Sequence, residues 1–256
     1  MKRKKTKHAF IPDTQITPES DINHIEAAGN FLAEKQPDKV ILAGDWWDMP
    51  SLCSYDKAGS HGWEQKDLKE DYACGVRAMG VFLSALRKPK GYSPQVIITL
   101  GNHEHRIQRA ANDPYNRKFK SYLTYDNLEL DKMGVCAYPY LEIVEVDGIM
   151  YSHLFVNPSS LYANPVGGTI ENKLKLLGQS FSMGHQQHKQ YGSIYTATGR
   201  KRNGLVCGRF YQEEPDYLGL QKSKQSWSGI FIKHEVREGD YDLMEVSMSY
   251  LLEEYL

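Results

Sequence analysis

Cysteines are few and unpaired in pattern. Cys53, Cys74, Cys136 and Cys207 lie far apart and form no Cys-x-x-Cys pair, which argues against both a structural zinc site and a disulfide framework. Reduced thiols in a cytoplasmic protein are the expectation. Long hydrophobic runs are missing as well. The N-terminus, MKRKKTKHAFIPDTQ, is basic but carries too few apolar residues before Asp13 for a signal-peptide core, and no later stretch could span a bilayer. No membrane role is expected. Nor does charge of one sign dominate: 31 Lys and Arg against 32 Asp and Glu leave a net charge of −1. That excludes an even, histone-like attraction to nucleic acid and leaves room for a local basic patch. Repeats, low-complexity blocks and Gly/Ser- or Pro-rich linkers are absent too. A chain of 256 residues, 41% of them hydrophobic, is therefore expected to form one domain over 1–256.

What is present is a series of short apolar runs, each ending in polar, acidic or imidazole-bearing residues. His8 to Pro12 precedes Asp13, Lys39 to Ala43 precedes Gly44-Asp45, and Gln95 to Leu100 precedes Gly101-Asn102. Continuous Val/Ile/Leu runs of this length suit strands buried on both faces. Helical spacing lies between them: Ile22, Ile25, Ala28 and Leu32 within Asp21 to Gln36, and Leu68 to Leu86 within Trp63 to Lys88. The first part, to about residue 134, reads as α/β. Beyond it, Tyr138 to Val146, Gly148 to Leu154, Phe181 to Met183, Gly192 to Thr198 and Gly204 to Tyr211 read as strands. Gly229 to Val236 and Tyr241 to Met248 flank a hairpin turn at 237–240, and Thr169 to Leu177 reads as a helix. The expected fold is α/β, two packed mixed sheets flanked by helices.

Five polar motifs sit at predicted strand ends: Asp13-Thr14-Gln15, Gly44-Asp45-Trp46-Trp47-Asp48, Gly101-Asn102-His103-Glu104, His153, and Gly184-His185-Gln186-Gln187-His188. In open α/β sheets ligands bind beyond the carboxyl ends of strands. Converging, these ends would supply carboxylates, amide oxygens and imidazoles, a mixture that suits Mn²⁺, Fe or Zn²⁺ better than Ca²⁺ or Mg²⁺. Each motif also has an innocent reading. Asp13 and Asp45 could be turn residues, and Asn102 with Glu104 could cap a helix. His153 could be a core histidine, and His185 and His188 could face solvent. The order and joint occurrence of all five outweigh those readings.

The set resembles the calcineurin-like metallophosphoesterases, whose motif order is DxH, GDxxD, GNH[ED], a lone His and GHxH. The resemblance runs from Asp13 to His188 and is far more specific for the superfamily than for a substrate. It implies an αββα sandwich and a dinuclear centre. One metal ion would be held by Asp13, Gln15, Asp45 and His188, the other by Asp45, Asn102, His153 and His185, with Asp45 bridging. It further implies attack on phosphorus by a metal-bound hydroxide, with His103, paired with Asp48, at the leaving group. Mn²⁺ is the first expectation, with Fe or Zn²⁺ as alternatives.

The sequence departs from the pattern in three places. Gln15 stands where the family has His. GHQQH carries one residue more than GHxH, which puts Gln187 in competition with His188. Met49-Pro50 replaces the Arg-Gly of the Ser/Thr protein phosphatases, and Arg106 is the candidate substitute that binds phosphate, against a solvated helix residue. A phosphodiesterase acting on nucleotides or nucleic acid is the first expectation. It rests on basic clusters at Lys2 to Lys7 and Arg200 to Arg202, and on Trp46 and Trp47 as a base-stacking wall or, for at least one of them, as core. A phosphomonoesterase for a small metabolite or phosphoprotein is the alternative, and a catalytically silent metal-binding module is a reading from a different class.

Overall fold

The computed structural model describes residues 5–53, 66–212 and 227–256. Two mixed β-sheets pack face to face with helices on both outer sides. The first sheet is built from β1 (Thr6–Ile11), β2 (Lys39–Leu42), β3 (Gln95–Thr99), β4 (Val135–Tyr138), β10 (Gly229–Arg237) and β11 (Asp240–Ser247), in the order β11-β10-β1-β2-β3-β4. The run β1 to β4 is parallel, while β10 lies antiparallel to β1 and to β11. The second sheet, ordered β5-β6-β7-β9-β8, comprises β5 (Val144–Val146), β6 (Ile149–Ser152), β7 (Ser180–Met183), β8 (Lys189–Tyr195) and β9 (Lys201–Cys207).

Alternation along the strands sorts their side chains into layers. Ala9, Ile11, Val40, Leu42, Val96 and Ile98 face α1 (Asn23–Lys35), α2 (Leu68–Leu86) and α5 (Met248–Tyr255). Phe10, Ile41, Ile97 and Phe231 point the other way and meet Ile149, Tyr151 and Leu205 between the sheets. On the far side of the second sheet, Phe181, Met183 and Val206 pack on Ile170 and Leu174 of α4 (Ile170–Leu177). Each fully buried side chain of this size contributes about 1.5–3 kcal/mol.

The sequence expectations hold for this architecture and fail at particular places. Tyr138 to Val146 is not one strand. Pro139 supplies no N–H, Leu141 adopts a left-handed φ of 70°, and Glu142 N donates to the Pro139 carbonyl at 3.0 Å. The chain turns there and passes from one sheet to the other. Residues 63–65 of the expected second helix lie outside the described residues. The helix itself starts at Leu68, where the Asp67 side chain accepts from Lys69 N. Helices α3 (His105–Asn112) and α5 are only eight residues each, too short for their apolar spacing to stand out by sequence. Trp46 and Trp47 are both core, at 1% and 0% exposure, and their indole N–H groups donate to the Gly75 and Tyr72 carbonyls of α2. Neither forms a stacking wall. Among the described residues, no helix is long and apolar enough to cross a membrane.

Candidate metal centre

The carboxyl ends of β1, β2, β3, β6 and β7 deliver Asp13, Asp45, Asn102, His153 and His185 to one place. Close backbone approach there requires glycine: a Cβ at Gly101 would fall 2.0 Å from Asp45 Oδ1, and one at Gly184 would fall 2.3 Å from Asp13 Oδ1. The turns are strained as well. Gln15, Asp45, Met49 and His185 all have left-handed backbone, with φ between 45° and 64°, at a cost of about 1 kcal/mol or more each.

One ligand atom each from Asp45, His153 and His185 lies within 4.8 Å of the others. His153 is wholly buried, and its Nδ1 donates to the Ala43 carbonyl at 2.8 Å. That bond fixes the ring and turns Nε2 toward Asp45 Oδ2 at 3.3 Å and Asn102 Oδ1 at 3.0 Å. Asn102 Oδ1 also receives His185 Nδ1 at 2.8 Å. One nitrogen each of His153 and His185 and one oxygen each of Asp45 and Asn102 thus face a common point, and this two-nitrogen, two-oxygen set fits a borderline divalent ion.

The other half of the centre is oxygen-rich. Asp13, wholly buried, accepts from His185 N at 3.0 Å and from Gln187 Nε2 at 3.0 Å. Gln187 Oε1 accepts in turn from the Tyr211 hydroxyl at 3.0 Å. Gln15 joins through its backbone, with N donating to the Asp45 carbonyl at 2.8 Å. His188 is not brought to the site. It is exposed, with Nε2 2.7 Å from the Gln190 side-chain nitrogen. The extra residue in GHQQH has rotated the histidine outward and put Gln187 in its place.

Beside the cluster, His103 N donates to Asp45 Oδ1 at 2.9 Å, while its ring Nδ1 lies 2.8 Å from Asp48 Oδ1 and 3.0 Å from the Asp48 carbonyl. Nε2 is left facing Asp45 Oδ2 at 3.7 Å and Arg106 Nη2 at 3.2 Å. Arg106 is not a solvated helix residue: its Nη1 donates to the Asp48 carbonyl at 2.7 Å and to that of Met49 at 3.3 Å. It clamps the loop that carries Asp48.

Burial and mutual charge decide the ionisation. Burial lifts Asp13 to about 7, with Asp45 pushing the same way and His153 resisting. Asp45 is equally buried, yet His153 and His103 more than offset that and hold it below the usual carboxylate range. Burial opposes charge on His153, but Asp45 and Asp13 raise it to about 10. His103 is raised too, because Asp45 and Asp48 outweigh its burial and Arg106.

The residue that sequence reasoning left without a role is Glu104. It is wholly buried and accepts three backbone N–H groups, from Gly101 at 2.7 Å and from Asp45 and Trp47 at 3.0 Å. Burial and Asp45 push its pKa up against the Trp47 and Gly101 N–H groups and His153. Its carboxylate ties the β2 loop to the β3 loop. The described residues of the basic clusters at 2–7 and 200–202 are elsewhere. Of the first, residues 2–4 lie outside the described residues, while Lys5 pairs with Glu235 and Lys7 donates to the Lys35 carbonyl. The described members, Lys5, Lys7 and 200–202, sit at strand starts, the ends remote from Asp13 and Cys207.

No family model matches the chain. It is similar to the Gene 54 protein of Mycobacterium phage D29, 31% identical over 134 residues, which is 50% of this chain and 49% of that protein. The Gene 54 protein of Mycobacterium phage L5 is 30% identical over 132 residues, again 50% of this chain and 49% of the relative. The chain spans about half the length of the curated relatives it matches. A solved structure aligns with 95% of this chain at 11% identity and a TM-score of 0.45.

Proposed function

We propose that the protein is a metal-dependent phosphoesterase of the calcineurin-like type, a hydrolase whose substrate is a phosphodiester of a nucleotide or nucleic acid. The observation that carries the reading is the meeting of Asp45, Asn102, His153 and His185 at one point, with the His103–Asp48 pair at its edge. Asp45, Asn102, His153 and His185 would hold one divalent ion. Asp13 and Asp45, with the side chain of Gln15, would hold a second, and Gln187, whose Nε2 donates to Asp13, would orient that carboxylate. Mn²⁺, or Fe or Zn²⁺, would supply Lewis acidity toward phosphoryl oxygen and a nucleophile from water at neutral pH. The chain's own residues do the rest. Asp48 orients the His103 ring, and Asp45 and Asp48 favour its protonated form, which leaves Nε2 able to give a proton to a departing alkoxide. Arg106, 3.2 Å from that nitrogen, adds positive charge for a phosphate oxygen. A cytoplasmic setting belongs to the same proposal, in keeping with four free cysteines.

The test is hydrolysis of bis(p-nitrophenyl) phosphate against p-nitrophenyl phosphate by Mn²⁺-supplemented protein. Faster diester turnover is expected. Preference for the monoester would move the assignment to a phosphomonoesterase. Turnover of neither would leave a silent metal-binding module and overturn the proposal.

A further inference from the structure

The 3-10 segment Pro114–Tyr122 follows α3 directly on the flank of the site and buries none of its nine side chains. Its backbone is nonetheless pinned. Asp113 accepts from Tyr115 N at 2.9 Å, and the Asn116 amide donates to the Ala110 carbonyl at 3.0 Å. The Tyr122 carbonyl accepts from the Tyr72 hydroxyl at 3.0 Å and from the Asn127 amide at 2.9 Å. A segment held this firmly, yet giving nothing to the core, presents its side chains outward.

With three residues per turn, positions three apart eclipse. Phe119 and Tyr122 therefore share one face, Arg117 and Lys120 a second, and Tyr115 and Lys118 the third. The three aromatics are 58%, 61% and 94% exposed for Phe119, Tyr122 and Tyr115. Arg117, Lys118 and Lys120 are exposed and form no ion pair among the described residues. Phe119 and Tyr122 line a cavity of about 580 Å³ together with Leu68, Tyr72, Val76 and Leu123. The acids at its rim are already engaged: Asp67 caps α2 through Lys69 N at 2.8 Å, and Glu129 pairs with Lys132 at 2.8 Å.

We infer that this strip binds single-stranded nucleic acid, with bases against Phe119 and Tyr122 in the cavity and phosphates on Arg117, Lys118 and Lys120. Exposed rings interleaved with exposed cations fit a strand whose bases are free to stack, and a duplex offers no such faces. An acidic peptide would use the cations and leave the apolar cavity idle. The eight residues of α3, about 12 Å long, connect the His103 loop to the start of the strip. As a device that delivers substrate, the strip rests on the phosphodiesterase reading. As a binding surface it is tested separately.

The test is fluorescence anisotropy of labelled (dT)12 on the full chain as purified, with no divalent metal added. Phe119→Ser/Tyr122→Ser should weaken binding by at least about tenfold, since each stacked base contributes substantially. Arg117→Ser/Lys120→Ser should weaken it and lower the slope of log affinity against log salt by about 1.4, two phosphates' worth for a single strand. All four substituted side chains are exposed, so the fold and bis(p-nitrophenyl) phosphate hydrolysis should be unaffected. Binding that is unchanged in both variants, tighter binding of a 12-base-pair duplex, or equal binding of a poly-glutamate peptide would overturn the inference. Variant-sensitive (dT)12 binding by a protein that hydrolyses no ester would leave the strip standing and remove the enzyme assignment alone.

Discussion

Glu104→Gln is a change of one atom at the point where the two central loops are tied. In the wild type, one carboxylate oxygen accepts from Gly101 N at 2.7 Å and Asp45 N at 3.0 Å, and the other accepts from Trp47 N at 3.0 Å. A glutamine can keep its oxygen toward the first pair, but its NH₂ then faces the Trp47 N–H, donor against donor. One charge-assisted bond is lost, at about 1.5–3 kcal/mol, and a buried donor is left without a partner, so the total comes to about 2–4 kcal/mol. Against a typical net stability of about 5–15 kcal/mol, that is a large share. Glu104→Ala, which abandons all three donors, should cost more. Urea unfolding of the metal-free protein, read by tryptophan fluorescence, measures both, because Trp46 and Trp47 lie in this loop. The same variants should lose bound Mn²⁺, since Asp45 would no longer be held in its left-handed conformation. A Glu104→Gln stability within about 0.5 kcal/mol of wild type would refute the argument that this carboxylate organises the site.

His103→Ala should keep the metals yet slow hydrolysis by on the order of 10²–10⁴-fold for esters with high-pKa leaving groups, and far less for p-nitrophenyl esters. An unchanged activity ratio with reduced thermal stability would make His103 a structural residue. His188→Ala should leave metal content and turnover near wild type, whereas Gln187→Ala should weaken the metal site at Asp13; elemental analysis of both variants distinguishes the two positions. Burial pushes His8 and His24 down to about 4 from an ordinary 6.5. The unfolded chain therefore takes up their protons first, so stability should be full above about pH 6.5 and fall toward pH 4, by on the order of 3 kcal/mol for each histidine. Asp13, lifted to about 7, acts with the opposite sign over the same range, so urea unfolding at pH 7 and pH 5 is compared between wild type and His24→Leu. The variant should lose less stability, or gain more, at pH 5, and a pH dependence identical to wild type would contradict the reasoning.

The layers of the fold were legible because β1, β2 and β3 are short continuous apolar runs and because α1 and α2 repeat their apolar residues at helical spacing. The break at Pro139 was not, since Tyr138 to Val146 keeps strand-like composition across a turn that only tertiary pairing reveals. In the site, Asp13, Asp45, Asn102, His103, His153 and His185 could be placed because each ends a strand. His188 was misplaced because one inserted residue changes which side chain faces inward, and that rotation is set by backbone conformation rather than by residue type. Glu104 was visible in Gly-Asn-His-Glu, but a helix end explained it equally well. Its real partners, the N–H groups of Asp45 and Trp47, lie more than fifty residues away. The strip at 114–122 carried its alternating cations and rings in plain sight and lacked only the knowledge that nothing buries them.

The proposal stands or falls on whether ester hydrolysis depends on a metal held by Asp45. The direct measurement is the initial rate of bis(p-nitrophenyl) phosphate hydrolysis as Mn²⁺ is titrated into wild type and Asp45→Asn side by side. A wild-type rate that climbs with Mn²⁺ and saturates is expected, with the variant staying at background because a neutral amide holds a divalent cation far more weakly than a carboxylate. A wild type that never rises above background, or an Asp45→Asn protein that matches it across the titration, would contradict the account.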